Sequence, residues 1–170
     1  MIISRTPYRV SFAGGGTDLQ SYYKHDFGAV ISTAVDKYVY INVSKRFDHT
    51  IRVSYSKTEI VETVDQINHP LVREALKLVG ITQGIEIVSI ADIPAGTGVG
   101  SSSSFTVGLL HALYAYLGRH VDAEVLASQA CQIEIDILNE PMANRTSTSP
   151  RTEVCSTFGS TVTKRYTSTP

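Results

Sequence analysis

Residues 91–118 read ADIPAGTGVGSSSSFTVGLLHALYAYLG. Gly96, Gly98 and Gly100 alternate through a short loop, and four serines follow where a helix should begin. Glycine lets the backbone take positive φ and come close to a ligand. A helix N-terminus adds N–H groups without intrahelical partners and the positive end of the macrodipole. Together they make a site for phosphate. Serine hydroxyls at that point can add hydrogen bonds or an oxygen ligand for a magnesium ion. For a lone glycine-rich loop the competing reading is a flexible strand–helix connection with a serine N-cap. Four serines exceed what capping requires. The loop lacks the lysine of a P-loop, and its G-x-G-x-G spacing is not the dinucleotide fingerprint.

The surrounding pattern supplies the strands and helices that would hold this loop. Residues 2–13 read as a strand broken by GGGTD at 14–18. Residues 29–35 are apolar and β-branched. In KYVYINVSKR, Val39, Ile41 and Val43 alternate with Tyr38, Tyr40 and Asn42, the two-residue period of a strand. Residues 51–55 are expected to pair with it as a hairpin. HPLVREALKLVG places Pro70 at a helix start and Gly80 at its end, with Leu71, Ala75, Leu78 and Val79 on one face. Residues 84–90 form another alternating strand. A helix is expected from about Ser101 to Leu117, stopped by Gly118. A third starts near Asp122 as N-cap and runs to about Asn139. Strands, a helix, a strand and two helices point to an α+β or mixed α/β fold.

Bulk properties narrow the function. A chain of 170 residues suits one domain, or part of a larger one. The net charge of −1 gives no argument for a nucleic-acid or anionic-membrane partner. No apolar run is long enough to span a bilayer, and the start of the chain lacks the pattern of a signal peptide, so a cytoplasmic location is expected. Cys131 and Cys155 have neither the number nor the spacing for a disulfide framework or a metal site. His25, His49, His69, His111 and His120 show no ligand spacing and read as structural or surface residues. Tyr38, Tyr40, Tyr114 and Tyr116 read as core or strand-face aromatics.

The segment PAGTGVGSSSS, from Pro94, resembles the second motif of the GHMP kinases, P-x-x-x-G-x-G-S-S. The first strand, TPYRVSFAGGGTDL, strengthens the resemblance. By itself Gly14–Gly16 before Thr17 and Asp18 reads as a tight turn. In the sugar kinases of this family the first strand carries P-x-R and ends in G-x-x-T-D, matched here by Pro7, Arg9, Gly14, Thr17 and Asp18. The GGGTD form differs from the Gly-Glu-His-Thr-Asp of galactokinases. It is similar to the branch acting on heptose 7-phosphates, with the fucokinase domain as a neighbour. The resemblance implies the family's N-terminal nucleotide-binding domain over residues 1–141, with a mixed sheet, packed helices and a strand–loop–helix phosphate site. It implies ATP and Mg2+ as cofactors and a sugar or sugar phosphate as acceptor. Pro94, Gly96, Gly98, Gly100, Ser101, Ser102 and Ser103 would cradle the nucleotide phosphates. Arg9, Gly14, Gly15, Gly16, Thr17 and Asp18 would face the sugar, whose hydroxyls a carboxylate can accept several at a time.

Glu134 lies among apolar residues in ASQACQIEIDILNEP. A solvated outer-face glutamate is one reading, yet a buried carboxylate is costly without a partner. In the family a helix glutamate seven residues before a proline joins the loop serine in binding magnesium. Glu134 and Pro141 have that separation, so the resemblance implies Ser102 and Glu134 as metal ligands.

Beyond Pro141 the pattern fails. The heptose kinase branch implies a continuation close to Ile-Gly-Lys-Gln-Asp-Gln-Tyr. The chain instead reads MANRTSTSPRTEV, with Thr146 where the catalytic aspartate should stand. Threonine cannot serve as a general base. Read from the third base of the Met142 codon, the codons for these residues permit Gly-Lys-Gln-Asp-Gln-Tyr-Ile-Ala-Ala-Tyr-Gly-Gly-Leu, and the first glycine is forced. Residues 142–170 are therefore expected to be an out-of-frame tail with little to pack; the alternative is an authentic low-complexity tail. The expected chain is a truncated, inactive kinase, or else a non-catalytic nucleotide- or sugar-binding fragment, or a relative acting on fucose, galactose or mevalonate. Apolar surface left without its partner half implies self-association.

Overall fold

The alternation in the second strand decides which face of the sheet is buried. Val39, Ile41 and Val43 point to one side and are essentially inaccessible. Tyr38, Tyr40 and Asn42 point to the other and are only half-buried. The computed structural model describes residues 1–14 and 29–138, with a two-residue strand at 164–165. The strands are β1 (Ile2–Ala13), β2 (Ala29–Lys45), β3 (Ile51–Ser54), β4 (Thr58–Val61), β5 (Ile85–Ala91) and β6 (Lys164–Arg165). The helices are α1 (Pro70–Val79), α2 (Ser101–Tyr116) and α3 (Ala123–Cys131), the last running into a π-helical turn at Gln132–Ile137.

The mixed sheet has the order β1-β2-β5-β3-β4, with β6 beside the start of β2. The segments at 29–35 and 37–46 form one long strand, because both halves pair with β1. The expected hairpin between residues 51–55 and that strand does not form. Instead β5 lies between them, antiparallel to β2 and parallel to β3, and β3 makes its hairpin with β4. Local sequence favours the nearest partner. The fold gives the central place to β5, whose Ile85 and Ile87 are both buried.

Helix α1 follows its sequence signals. Pro70 fits the first turn, Leu71, Val72, Ala75, Leu76 and Val79 are buried, and Gly80 at φ 81° closes the helix by donating to the Leu76 carbonyl. Helix α2 is apolar on most sides and is correspondingly central: it crosses β1 and β2 and packs against α1 and α3. Helix α3 differs from expectation at both ends. Asp122 occupies the N-cap position but makes no capping hydrogen bond through its side chain. The α-helix stops at Cys131 instead of continuing to about Asn139, and the chain widens into the π turn, marked by Leu138 N–H donating to Ile133 O. Among the described residues no helix is long and apolar enough to cross a membrane.

A polar seam fixes α2 on β1. Ser4 Oγ donates to Gly108 O at 2.7 Å, and Ser104 Oγ donates to Pro7 O at 3.0 Å. Between these bonds the helix backbone comes so close that a Cβ on Gly108 would lie 2.7 Å from Thr6 Oγ1. Thr6 is buried and β-branched, so it has little room to turn away. Gly108→Ala is expected to destabilise the fold by about 1–3 kcal/mol, despite the better helix propensity of alanine. Urea unfolding checks this: the midpoint should fall with an unchanged slope.

Candidate functional site: a glycine-loop cavity at the N-terminus of α2

The loop between β5 and α2 has the backbone its glycines foreshadow. Gly96, Gly98 and Gly100 all have positive φ, at 84°, 76° and 69°. Gly100 is the N-cap residue of α2 and supplies no side chain, so no side-chain hydrogen bond caps this helix end. The first intrahelical bond at this end runs from Ser104 N–H to Gly100 O at 3.0 Å. By helix geometry the N–H groups of Ser101, Ser102 and Ser103 have no intrahelical acceptor.

These residues open into a cavity of about 830 Å³, a size suited to a nucleotide-like ligand. Pro94, Gly96, Gly98, Gly100, Ser101, Ser102 and Ser103 all line it, as do Arg9 and Glu134. The structure thus brings the loop, the first strand and the third helix together around one space. Gly14 is described, with φ 90°. Gly15, Gly16, Thr17, Asp18 and Thr146 lie outside the described residues.

The four serines divide into different roles. Ser104 is spent on the seam to β1. Ser103 Oγ lies 3.5 Å from Glu134 Oε2, at the outer limit of a hydrogen bond. Ser101 lines the cavity. Ser102 Oγ is buried yet has no hydrogen-bond partner among the described residues. A buried hydroxyl without a partner costs about 1–3 kcal/mol and asks for a ligand. Glu134 reaches the same cavity from the π turn and is 8 % exposed. Its Oε1 accepts from Thr106 Oγ1 at 2.8 Å. A hydroxyl and a carboxylate are hard oxygen donors. They suit a cation such as Mg2+, which binds through one or two protein oxygens and completes its shell with waters and phosphates. Single π turns are frequent at functional sites, and this one has no signal in the sequence.

Arg9 is 4 % exposed and does more than line the cavity. The register of β1 against β2 breaks between Pro7 and Arg9, and the adjacent Tyr8 and Arg9 are both buried. Successive side chains of a regular strand face opposite ways, and a bulge re-aims them. The Arg9 N–H donates to Val99 O at 3.3 Å, and a Cβ on Gly100 would stand 3.3 Å from Arg9 Cγ. One guanidinium nitrogen donates to Ser11 Oγ at 2.7 Å. The side chain therefore braces the last glycine of the loop from beneath.

Sequence reading misses the far wall. Tyr55, His69 and Phe105 line the cavity, with Tyr55 edge-on to His69 at 4.7 Å and His69 stacked on Phe105 at 5.2 Å. The available signal was positional: His69 is the N-cap residue of α1, where a hydroxyl or carboxamide is usual. Burial pushes the His69 imidazole below its ordinary value, partly opposed by the charge of Glu59. Its Nδ1 has no hydrogen-bond partner among the described residues. Burial also raises the Tyr8 hydroxyl, which donates to Ile93 O at 3.3 Å, and the charge of Asp92 adds to the effect.

The family profile described as GHMP kinases N terminal domain matches residues 55–144, and the chain belongs to that family. It is 27 % identical over 148 residues to a D-glycero-alpha-D-manno-heptose 7-phosphate kinase of Campylobacter jejuni, covering 78 % of this chain and 43 % of the relative. It is 26 % identical over 168 residues to an L-fucokinase/L-fucose-1-P guanylyltransferase of Bacteroides fragilis, covering 79 % of this chain and 18 % of the relative. The chain spans less than half the length of these curated relatives. In structure it resembles a D-glycero-D-manno-heptose 1-phosphate kinase of Bacteroides thetaiotaomicron, with a TM-score of 0.83 at 20 % identity, over 98 % of this chain and 56 % of that one. The likeness establishes the mixed-sheet kinase fold.

The His69 environment gives a pH dependence whose sign is fixed. A histidine whose folded-state pKa lies below its unfolded value near 6.5 takes up protons first in the unfolded chain. Its contribution to stability is present above pH 6.5 and is lost as pH falls below that value toward the folded pKa. The melting temperature should drop between pH 7 and pH 5. His69→Phe, which keeps the ring stack and cannot titrate, should flatten that slope.

Proposed function

We propose that this chain is the nucleotide-binding part of an ATP-dependent sugar kinase whose acceptor is a heptose 7-phosphate. The observation that carries this reading is the partnerless buried Ser102 hydroxyl. It stands with Glu134 in the cavity that the glycine loop and the open end of α2 share. ATP phosphates would lie against the Gly96–Ser103 backbone, where N–H groups and the helix dipole offset their charge. Ser102 and Glu134 would hold Mg2+, which when bound neutralises charge on the nucleotide phosphates. The purine would rest on the Tyr55, His69 and Phe105 wall. The sugar would meet Arg9 and the segment 14–18, with Asp18 accepting from its hydroxyls. The name of the Campylobacter relative and the GGGTD form of the first motif support a heptose phosphate over galactose.

Residues 1–141 form the domain in this reading, and 142–170 the out-of-frame tail. Phosphoryl transfer is mostly positioning and charge neutralisation, but the acceptor hydroxyl still needs a proton acceptor or an equivalent charge. Thr146 offers neither. The chain as written binds nucleotide without transferring phosphate, and Thr146 equally favours the second reading, a binding fragment without catalysis. Exposed Ile3, Phe12, Ile60 and Ile90 add an apolar surface through which copies would associate.

Three measurements test these statements. Calorimetry should find ATP binding to the 170-residue chain that is strengthened by Mg2+, with no product formed from heptose 7-phosphate; absence of nucleotide binding overturns the reading. Source DNA across codons 138–156 should contain the base that restores Gly-Lys-Gln-Asp, and the protein made from it should phosphorylate the heptose. A confirmed frame with an early stop in the alternative one leaves the binding fragment. Sedimentation should show self-association, and a clean monomer with a cooperative melt counts against it.

A further inference from the structure

We propose that Thr106 is a positioning residue that fixes the Glu134 carboxylate for divalent-cation binding, an inference that rests on Ser102 and Glu134 being the cation's ligands. Thr106 is fully buried. It lies one helical turn after Ser102, on the same face of α2. Its single hydroxyl proton has two acceptors within reach, Ser102 O at 3.0 Å and Glu134 Oε1 at 2.8 Å. A threonine in a helix ordinarily gives its proton back to the carbonyl four residues earlier. Here a carboxylate oxygen competes, and it lies at the shorter distance.

The bond ties two elements that sequence keeps apart. Glu134 projects from a π turn, whose backbone geometry is less regular than that of the α-helix before it. Anchoring Oε1 to α2 sets the carboxylate plane and leaves Oε2 on the side of Ser103, 3.5 Å from its hydroxyl. The anchor rises from the turn of α2 next to the one that presents the Ser102 hydroxyl. The two cation ligands are thus referenced to one rigid segment even though they come from different helices. Partners of metal ligands act in this way, and losing one commonly costs 10–100-fold in metal affinity.

The test compares ADP binding to the 170-residue chain in excess Mn2+ and in EDTA, by calorimetry; the ratio of the two dissociation constants is the cation enhancement. Thr106→Val removes the hydroxyl at nearly constant shape. It should lower the enhancement by about 10-fold or more and leave ADP affinity in EDTA unchanged. Thr106→Ser, which keeps the hydroxyl, should restore it. Should T106V lack a cooperative melt, Thr106→Ala reads the same ratio without added apolar bulk. Ser102→Ala and Glu134→Gln report on the ligands themselves. Full enhancement in T106V together with its loss in E134Q overturns the role of Thr106 and leaves the ligands in place. No enhancement in the unaltered chain, or full enhancement in E134Q, overturns the ligand assignment and the proposal with it.

Discussion

The close approach of α2 to β1 at Gly108 is the contact on which the site depends. A helix whose N-terminus lines a cavity must be held in both rotation and height. Apolar packing alone sets neither sharply, because leucines tolerate small slides. The seam does both. The Ser4–Gly108 and Ser104–Pro7 hydrogen bonds lie one turn apart and give α2 a single height on the strand. The missing Cβ of Gly108 allows the backbone contact that makes them reachable. With α2 so placed, Ser101–Ser103 line the cavity while Ser104 bonds the sheet.

From that fixed helix the site is assembled out of parts with no local reason to meet. The bulge in β1 buries Arg9 against Gly100, so the first strand shapes the loop. The π turn carries Glu134 inward, and Thr106 receives it. The Tyr55, His69 and Phe105 wall joins the end of β3, the start of α1 and the first turn of α2. Each segment brings one kind of chemistry: N–H groups and a dipole, a hydroxyl and a carboxylate, or an aromatic surface. They converge in one cavity.

The alternating Val39, Ile41 and Val43, the Pro70 and Gly80 boundaries of α1, and the loop before α2 were legible because their causes are local. A pleat has a period of two, proline fits a first turn, and glycine tolerates positive φ. The parallel pairing of β3 with β5 was not legible, since nothing within 51–55 distinguishes a partner across the intervening helix from the neighbouring strand. The end of α3 was not legible either, because helix propensity carries no information about where a turn will widen. His69 shows the same limit: no ligand spacing surrounds it, and its place in the cavity comes from Phe105, far along the chain.

The sequence by itself determined the class of fold, the glycine-rich loop before α2 with its run of serines, and the membership of the kinase family, because these depend on residue types at short fixed spacings. Only the tertiary structure decided that Arg9 braces the loop, that Ser102 is the buried hydroxyl without a partner, and that Thr106 holds Glu134. Those facts depend on distances between elements, and distance across a fold follows from how side chains fill the space between a helix and a sheet, which short-range spacing does not encode.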